Sequence, residues 1–434
     1  MLKKQLKNSL PILVILLSIG TAFSQNTEIF IGLEGLSVKP KNIFLASFKP
    51  LSAEQDCVET AISMRETARA DLLYSRYFEV AEDPLNPLSL EYSKNSLSHF
   101  SSMGQHYVFS ELSCSSGTFS MKGFIFETSS AQKIFEKTFS FSKNSARKAA
   151  HIFSDDIVKT LTGRKGIASS KIAFSNDSTG SKEIYISDYD GENLVRLTSH
   201  KTISILPIWS NDGYKLYYTT YKNKNPDIYE IDFKKGAISP FSTYQGLNIP
   251  GGFSPDGLNL VLTLSKGKDP SIYIMGTKTK ELKKLIEKFS VSSSPTFSPD
   301  GKEIAFVSDI SGNPQIHIYD FETKKIRKIT RMNWADSPDW SSDGRWIVFS
   351  GRGTSQEKMN IFMADPAGAR ILRLTRNEGD NEDPCFSPDS RFILFTSTRR
   401  GRREIFVMDA DGSAPHPLNE NLKGNSYTPS WSKI

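Results

Sequence analysis

The fold is decided by a stretch that the chain repeats, Pro295-Thr-Phe-Ser-Pro-Asp-Gly301. Related copies begin at residues 207, 252, 338 and 384, and a truncated copy, Pro429-Ser-Trp-Ser432, lies near the end of the chain. The aromatic residues of the six copies are 44, 44, 43, 46 and 45 residues apart: Trp209, Phe253, Phe297, Trp340, Phe386 and Trp431. This period is typical of a four-stranded blade of a β-propeller.

Each residue type in the repeat has a physical role. Proline lacks an N–H group and therefore suits the start of a strand, and the aromatic residue supplies a large buried area. Ser-Pro-Asp-Gly has the residues of a tight turn. The strand that follows, as in Phe392–Phe395, is apolar on both faces, which predicts burial between stacked sheets. A third strand and a short, more polar fourth strand, such as Arg327–Thr330, complete each unit.

The number and order of the strands predict how the ring closes. Strands two to four occur six times, beginning at Lys171, whereas the first copy of the repeated motif comes only after the first of these sets. The last copy, 429–432, is therefore left to pair with the set at 171–198. Because an open array would expose sheet edges at both ends, we predict six blades closed by the C-terminal strand.

The residues before the repeat predict a separate α/β domain at 25–162, joined by a linker at 163–170 to a propeller at 171–434. Strands are predicted near 27–32, 42–48, 77–80, 107–112, 118–127 and 133–141. Helices are predicted at about 52–74, 90–103 and 146–161. The fold class is thus an α/β N-terminal domain followed by an all-β six-bladed propeller.

The first residues predict export. Three lysines precede an apolar run, Leu10–Ile19, and the small residues Ala22 and Ser24 follow it. This is the layout of a signal peptide, here residues 1–24 with cleavage near Ser24. The alternative, a membrane anchor, is disfavoured because a spanning helix needs roughly 20 apolar residues.

Charge and cysteine content exclude several classes of site. The whole chain has a net charge of +6, and loss of residues 1–24 removes three lysines and no acid, which leaves 51 − 48 = +3. A charge this small does not produce the positive electrostatic potential that nucleic-acid binding needs. The dense basic run Arg399–Arg403 favours a solvated hairpin loop over a ligand site. Three separated cysteines, Cys57, Cys114 and Cys385, disfavour a thiolate metal site. A Cys57–Cys114 disulfide and buried free thiols both remain open.

The sequence lacks the familiar catalytic motifs. It contains no Gly-x-Ser-x-Gly, no His-Glu-x-x-His and no Gly-x-x-x-x-Gly-Lys. Aspartates recur in the repeat, but each stands in the same turn of a different blade, so they cannot converge as the carboxylate pair of a glycosidase does. These aspartates are Asp212, Asp256, Asp300, Asp343 and Asp389. We therefore predict no catalytic residue, no metal and no cofactor. The alternative is a propeller-type hydrolase or a glycan-binding module with its site at the channel mouth.

Several stretches carry a family resemblance: Asp71-Leu-Leu-Tyr-Ser-Arg-Tyr-Phe78, Leu161-Thr-Gly-Arg-Lys-Gly166 and Ser187-Asp-Tyr-Asp-Gly191. Together with the signal peptide and the closed propeller, they make the chain resemble the TolB family over nearly its whole mature length. The resemblance implies a periplasmic, non-enzymatic component of the Tol-Pal system that supports outer-membrane integrity and cell division. It also implies two partners, a peptidoglycan-associated lipoprotein (Pal) and the inner-membrane protein TolA. We expect the protein alone to be monomeric.

The resemblance places the two partner sites in this sequence. It implies that Pal meets the rim around the channel mouth, where the matching loops contain Leu247, Asn248, Pro250, Ser293, Asp336, Asp380 and Asp383. It implies that TolA binds the mature N-terminus, within residues 25–35, at Thr27, Glu28, Ile29, Phe30 and Ile31. Alternation of apolar residues in that segment suits β-augmentation. The alternatives are that the rim residues are only solvated loop positions and that the N-terminal segment is a permanently docked strand.

Overall fold

The computed structural model describes residues 39–81, 100–101, 104–115, 117–266, 269–286, 290–376 and 378–433. The predicted signal peptide, the N-terminal TolA segment and nearly all of the helix predicted at 90–103 lie outside these residues. Two parts follow one another along the described chain, an α/β region and a propeller.

The α/β region is a five-stranded sheet with two long helices on one face. Its elements are β1 (Lys41–Pro50), α1 (Gln55–Tyr74), β2 (Phe78–Ala81), β3 (His106–Ser115), β4 (Thr118–Glu127), β5 (Lys133–Ser142), a 3₁₀ turn (Lys143–Ser145) and α2 (Ala146–Thr162). The sheet order is β2-β1-β3-β4-β5, parallel across β2, β1 and β3 and antiparallel beyond. The helices bury Met64, Leu72, Phe153 and Ile157 against the sheet.

A disulfide joins the first turn of α1 to the end of β3. Cys57 and Cys114 are bonded, with their Cα atoms 5.8 Å apart. The structure therefore decides between the two alternatives that the sequence left open. Cys385 is a free cysteine.

The propeller consists of six four-stranded antiparallel sheets. Blade 1 contains β6 (Lys171–Asn176), β7 (Glu183–Asp188) and β8 (Val195–Arg196). Blade 2 contains β9 (Ser204–Trp209), β10 (Lys215–Thr220), β11 (Asp227–Asp232) and β12 (Ala237–Ser242). Blade 3 contains β13 (Asn248–Phe253), β14 (Asn259–Leu264), β15 (Ser271–Gly276) and β16 (Leu282–Lys284). Blade 4 contains β17 (Ser292–Phe297), β18 (Glu303–Ser308), β19 (Gln315–Asp320) and β20 (Ile326–Lys328).

The last two blades and the closing strand complete the ring. Blade 5 contains β21 (Trp334–Trp340), β22 (Ile347–Arg352), β23 (Asn360–Ala364) and β24 (Ile371–Arg373). Blade 6 contains β25 (Asn381–Phe386), β26 (Phe392–Ser397), β27 (Glu404–Asp409) and β28 (His416–Pro417). The final strand, β29 (Ser426–Trp431), is the inner strand of blade 1.

Closure by the C-terminal strand is confirmed. β29 pairs antiparallel with β6, so that Trp431 lies opposite Ile172. The Trp431 indole N–H donates to Ser170 Oγ at 2.7 Å, and the Ser432 N–H donates to the Lys171 carbonyl at 2.9 Å. The end of the chain is therefore held at the point where the propeller begins.

The Ser-Pro-Asp-Gly turns connect the first two strands of a blade and contact the equivalent turn of the neighbouring blade. In blade 4, Asp300 Oδ1 accepts from Ser298 Oγ at 2.7 Å and from the Lys302 N–H at 3.1 Å, which confirms the structural role predicted for this aspartate. Gly301 has φ +74°, and a Cβ there would lie 3.1 Å from Cδ of Pro255 in the preceding turn. Glycine thus serves both the turn conformation and the contact between blades.

Candidate docking face and channel

The inner strands of the blades contain a backbone bulge that gives the channel its shape. The register shifts in every inner strand, at Pro250/Gly252 in blade 3 and Ser293/Thr296 in blade 4 for example. In five blades the residue before the motif proline has a positive φ: Leu206, Ser294, Ser337, Asp383 and Thr428. Blade 3 instead has Pro250 followed by Gly251, where a Cβ would lie 2.3 Å from the Pro295 carbonyl oxygen. Proline cannot adopt a positive φ, which accounts for this exception.

The inner strands enclose a channel of about 530 Å³ with two different walls. Blades 2 and 3 contribute an aliphatic wall: Leu206, Ile208, Ile249 and Pro250. Blades 5 and 6 contribute a polar wall: Ser337, Asp339, Asp383 and Cys385. In a ring of six blades these two walls face each other.

The carboxyl groups of the polar wall hold their protons more tightly than usual. Burial raises the pKa of Asp383 to about 6, and the charges of Glu382 and Asp336 add to the effect. Burial also raises the pKa of Asp336 and of Asp339. Ser337 Oγ donates to Asp383 at 3.3 Å, and the Phe386 N–H donates to Asp339 at 2.8 Å. These carboxyl groups therefore take up protons at a higher pH than exposed aspartates do.

Among the residues that the structure describes, no group of three or more His, Cys, Asp or Glu side chains is placed to hold a metal ion.

The residues predicted for the rim fall into different environments. Leu247, directly before β13, is half-buried, and Pro250 and Ser293 line the channel. Asn248 is fully buried. Its carboxamide accepts from Ser242 Oγ at 2.8 Å and donates to the carbonyl groups of residues 226, 244 and 246. Asn248 therefore holds the rim loop in shape and does not present a free polar group.

The three predicted acids also differ. Asp383 lines the channel, and Asp336 lies at the start of β21, where its carboxylate accepts from the Ser337 N–H at 2.7 Å. Asp380 stands directly before β25, accepts from the Met359 N–H at 3.1 Å, and lies 3.5 Å from Lys358 Nζ. The structure thus places Asp383 on the channel wall, Asp336 near enough to raise the pKa of Asp383, and Asp380 on the rim. The segment Thr27–Ile31 lies outside the described residues.

Sequence reasoning missed three exposed apolar residues on the same rim. Ile203, Val291 and Trp334 are 44%, 43% and 37% exposed. Like Leu247, each stands six residues before the aromatic residue of its copy of the repeat. We call these four residues, on blades 2 to 5, the apolar arc. The sequence contained a signal for this difference. The equivalent position of the repeat is apolar in blades 2 to 5 and polar in the other two blades, where it is Asp380 in blade 6 and Asn425 in blade 1.

The basic run between β26 and β27 is neutralised within the fold. Each arginine has an acidic partner: Arg399 with Glu378 at 3.1 Å, Arg400 with Glu420 at 3.3 Å, Arg402 with Glu404 at 2.7 Å, and Arg403 with Glu382. These ion pairs favour the hairpin-loop interpretation over a site for an anionic ligand.

The fold and the site define a six-bladed propeller protein whose face combines a rim of apolar side chains with a two-walled channel. Within the described residues no helix is long and apolar enough to cross a membrane. The family described as "TolB beta propeller domain" matches residues 158–434, more than half of the chain. The chain belongs to this TolB family.

Individual relatives agree with that assignment. The chain is similar to the "Protein TolB homolog" of Chlorobium chlorochromatii (33% identical over 162 residues, 36% of this chain and 37% of the relative). It is also similar to the "Tol-Pal system protein TolB" of Desulfosudis oleivorans (30% over 231 residues, 51% and 52%). The matches thus span about half or less of these relatives. TolB from Acinetobacter baumannii has the same fold, with a TM-score of 0.75, 23% identity, and coverage of 91% of this chain and 97% of that one.

Proposed function

We propose that the protein is a periplasmic component of a Tol-Pal envelope system, an adaptor without enzymatic activity. Its rim binds a Pal-like peptidoglycan-associated lipoprotein, and its N-terminal segment binds a TolA-like inner-membrane protein. In this role it supports outer-membrane integrity and cell division. Family membership and the names of the relatives support the proposal.

The apolar arc is the observation that carries the docking proposal. Exposed apolar side chains on consecutive blades form a patch beside the channel mouth, and patches of this kind mark protein–protein contact sites. Trp334 is the aromatic anchor, a residue type that dominates many interfaces. Leu247, which the sequence analysis assigned to the rim, belongs to the same patch.

The polar residues of the rim and the channel orient the docked lipoprotein. Asp380 offers a carboxylate at the outer rim, and Asp336 and Asp383 offer carboxyl groups nearer the axis. Pro250 and Ser293 shape the channel mouth between them, while Asn248 acts indirectly by holding its loop. We propose that the lipoprotein docks across this whole surface and not on one loop.

The N-terminal segment supplies the second site. In an extended segment Ile29 and Ile31 fall on one face and Phe30 on the other, which suits a strand that pairs with a foreign sheet edge. Deletion of residues 25–35 should abolish capture of a TolA-like protein and leave lipoprotein binding unchanged. Capture that survived the deletion would contradict the assignment.

The rim is tested by calorimetric titration of the mature protein with the soluble domain of a Pal-like protein in buffer with EDTA. Trp334→Ala should weaken binding by about 30-fold or more, as loss of a hot-spot residue does. Leu258→Ala is the matched control. Leu258 is an apolar residue, 54% exposed, on the turn that follows β13, at the end of that strand opposite to Leu247 and the rim. This control should bind as the unmodified protein does.

Two results would overturn the proposal. One is an unchanged affinity for Trp334→Ala when the lipoprotein binds the unmodified protein. The other is turnover of a peptide or glycan substrate that Asp383→Asn abolishes, which would favour a hydrolase or glycan-binding propeller with its site at the channel mouth.

A further inference from the structure

The α/β region rests on blades 1 and 6 of the propeller. The Tyr74 ring, at the end of α1, packs 5.0 Å from the rings of Tyr189 and Phe392. The Arg391 guanidinium lies 4.0 Å from the Tyr77 ring centroid. These contacts form an apolar and aromatic interface beside which several charged groups are buried.

One histidine lies between a carboxylate of each part. His151 Nδ1, on α2, is 2.9 Å from Asp71 Oδ2 on α1, and its Nε2 is 3.7 Å from Asp188 Oδ2 at the end of β7. The three side chains are only 4%, 1% and 4% exposed. Tyr189 donates its hydroxyl proton to Asp71 Oδ1 at 2.8 Å, across the same interface. We call Asp71, His151, Asp188 and Tyr189 the interdomain cluster.

Other charged groups surround the cluster. Asp188 also forms ion pairs with Lys171 and, at 3.4 Å, with Arg147, and it accepts from Asn193 Nδ2 at 2.6 Å. Arg147 in turn pairs with Asp190. These contacts come from α2, from β6 and from the turn after β7, so both parts of the protein contribute.

Among the ionisable groups in direct contact with the cluster, the charges balance only when the imidazole is protonated. Asp71, Asp188 and Asp190 contribute three negative charges, and Arg147 and Lys171 contribute two positive charges. A proton on His151 supplies the third positive charge, at the point between the two buried carboxylates. An unbalanced charge in such a dry site is costly, so the docked arrangement favours the imidazolium.

The directions in which the pKa values of His151 and Asp188 are shifted agree with this charge count. Burial alone would lower the pKa of His151, but Asp188 and Asp71 outweigh burial and raise it from 6.5 to about 9. Burial would likewise raise the pKa of Asp188, but His151 and Lys171 hold that pKa well below its ordinary value.

We propose that protonated His151 is a proton-dependent clamp that holds the α/β region and the propeller in one relative orientation. The proposal does not depend on the docking function proposed above, because every group in the cluster belongs to this chain. It assigns a conformational role to residues at the interface between the two parts.

The direction of the pH dependence follows from linkage. When the two parts separate, His151 keeps Asp71, which lies on the same part, but loses Asp188 and becomes hydrated, so its pKa falls from about 9 in the direction of 6.5. The clamp therefore acts fully below pH 6.5 and is lost as the pH rises through about 9. Between these limits the docking equilibrium should weaken by less than roughly 300-fold, the ratio that a full return of the pKa to 6.5 would give, because Asp71 stays beside His151.

The test measures the distance between the two parts in the full mature chain. Spin labels are attached to Lys148→Cys on α2 and Lys302→Cys on the blade 4 turn, both exposed, in a Cys385→Ser background. Pulsed electron resonance at pH 6.0 should give one narrow distance, and at pH 9.8 a broadened distribution. His151→Gln should give the broadened distribution already at pH 6.0.

A matched histidine variant controls for general effects of pH. His200, in the loop between blades 1 and 2, forms a hydrogen bond with Tyr218 of β10 at 2.9 Å. His200→Gln should keep the narrow distance at pH 6.0 and the broadening at pH 9.8. The proposal would be overturned if the protein with the unmodified cluster gave a narrow distance distribution at both pH values. It would also be overturned if His151→Gln gave a narrow distribution at both pH values.

A second variant keeps the proposal testable if His151→Gln does not fold. Asp188→Asn preserves the shape of the side chain but removes the propeller carboxylate. In a ¹H–¹³C NMR titration of labelled histidine, His151 should then bind its proton at least tenfold more weakly than in the unmodified protein. An unchanged titration would show that the propeller carboxylate does not hold the imidazolium.

Discussion

Replacement of Trp431 by alanine tests the closure of the ring. Trp431 is buried between blades 1 and 6, where it packs with Ile172, Phe392 and Leu394. It also forms the hydrogen bond to Ser170 that joins the chain end to the start of the propeller. The substitution leaves the pairing of β29 with β6 in place but removes the side chain that fills the seam.

The expected loss of stability can be estimated from these contacts. Truncation of a buried tryptophan to alanine costs about 3–5 kcal/mol, and loss of a buried hydrogen bond adds about 1 kcal/mol. The total, about 4–6 kcal/mol, is a large part of the 5–15 kcal/mol that is usual for a folded protein. At about 2–4 °C per kcal/mol, Tm should fall by about 8–24 °C.

The assay is thermal and urea unfolding followed by circular dichroism. Trp431→Phe retains most of the buried area and should lose only about 1 kcal/mol, the part due to the hydrogen bond. Trp334→Ala removes an exposed tryptophan from the rim and should change stability by less than about 0.5 kcal/mol. If Trp431→Ala were as stable as Trp334→Ala, the closing strand would not stabilise the ring and the reasoning would fail.

Deletion of residues 428–434 should unfold or aggregate the propeller.

Two further predictions concern single features of the fold. The disulfide closes a loop over a sequence separation of 57 residues, so the double substitution Cys57→Ser, Cys114→Ser should lower the stability of the α/β region by about 4 kcal/mol. Reduction of the unmodified protein should shift the urea midpoint by the same amount. Equal midpoints with and without reductant would contradict this prediction. Asp383 has a raised pKa in the folded protein, so its contribution to stability falls as the pH rises from 3.8 through about 6. Asp383→Asn should therefore increase the free energy of unfolding in urea by about 1–3 kcal/mol at pH 7.5 and leave it unchanged at pH 3.5. Asparagine tolerates the φ of +53° at this position. An equal effect at both pH values would show that the charge of Asp383 is not buried.

Much of the fold could be predicted from the sequence because the propeller repeats a local pattern. The motif around Pro295 fixes the turn, the strand start and the buried aromatic residue within a few residues of one another, and its period counts the blades. The strand left over at Trp431 could pair only with the set that begins at Lys171, so closure followed from counting. The role of Asp300 was likewise predictable, because its hydrogen bonds reach only two residues along the chain in either direction.

The candidate site was only partly predictable. The rim position of Leu247 followed from the repeat, and the same reasoning could have found Ile203, Val291 and Trp334. The burial of Asn248 could not be predicted, since its partners are loop carbonyl groups whose placement depends on the packing of two blades.

The blade count, the order of the strands and the closing strand could thus be deduced from the amino-acid sequence, because these features depend on short-range periodicity. Only the tertiary structure decided the pairing of Cys57 with Cys114 and the contrast between the channel walls. It also decided the position of His151 between Asp71 and Asp188, residues 80 and 37 positions away in sequence. Such contacts arise where separate elements pack against each other, and no local pattern encodes which side chains will meet there.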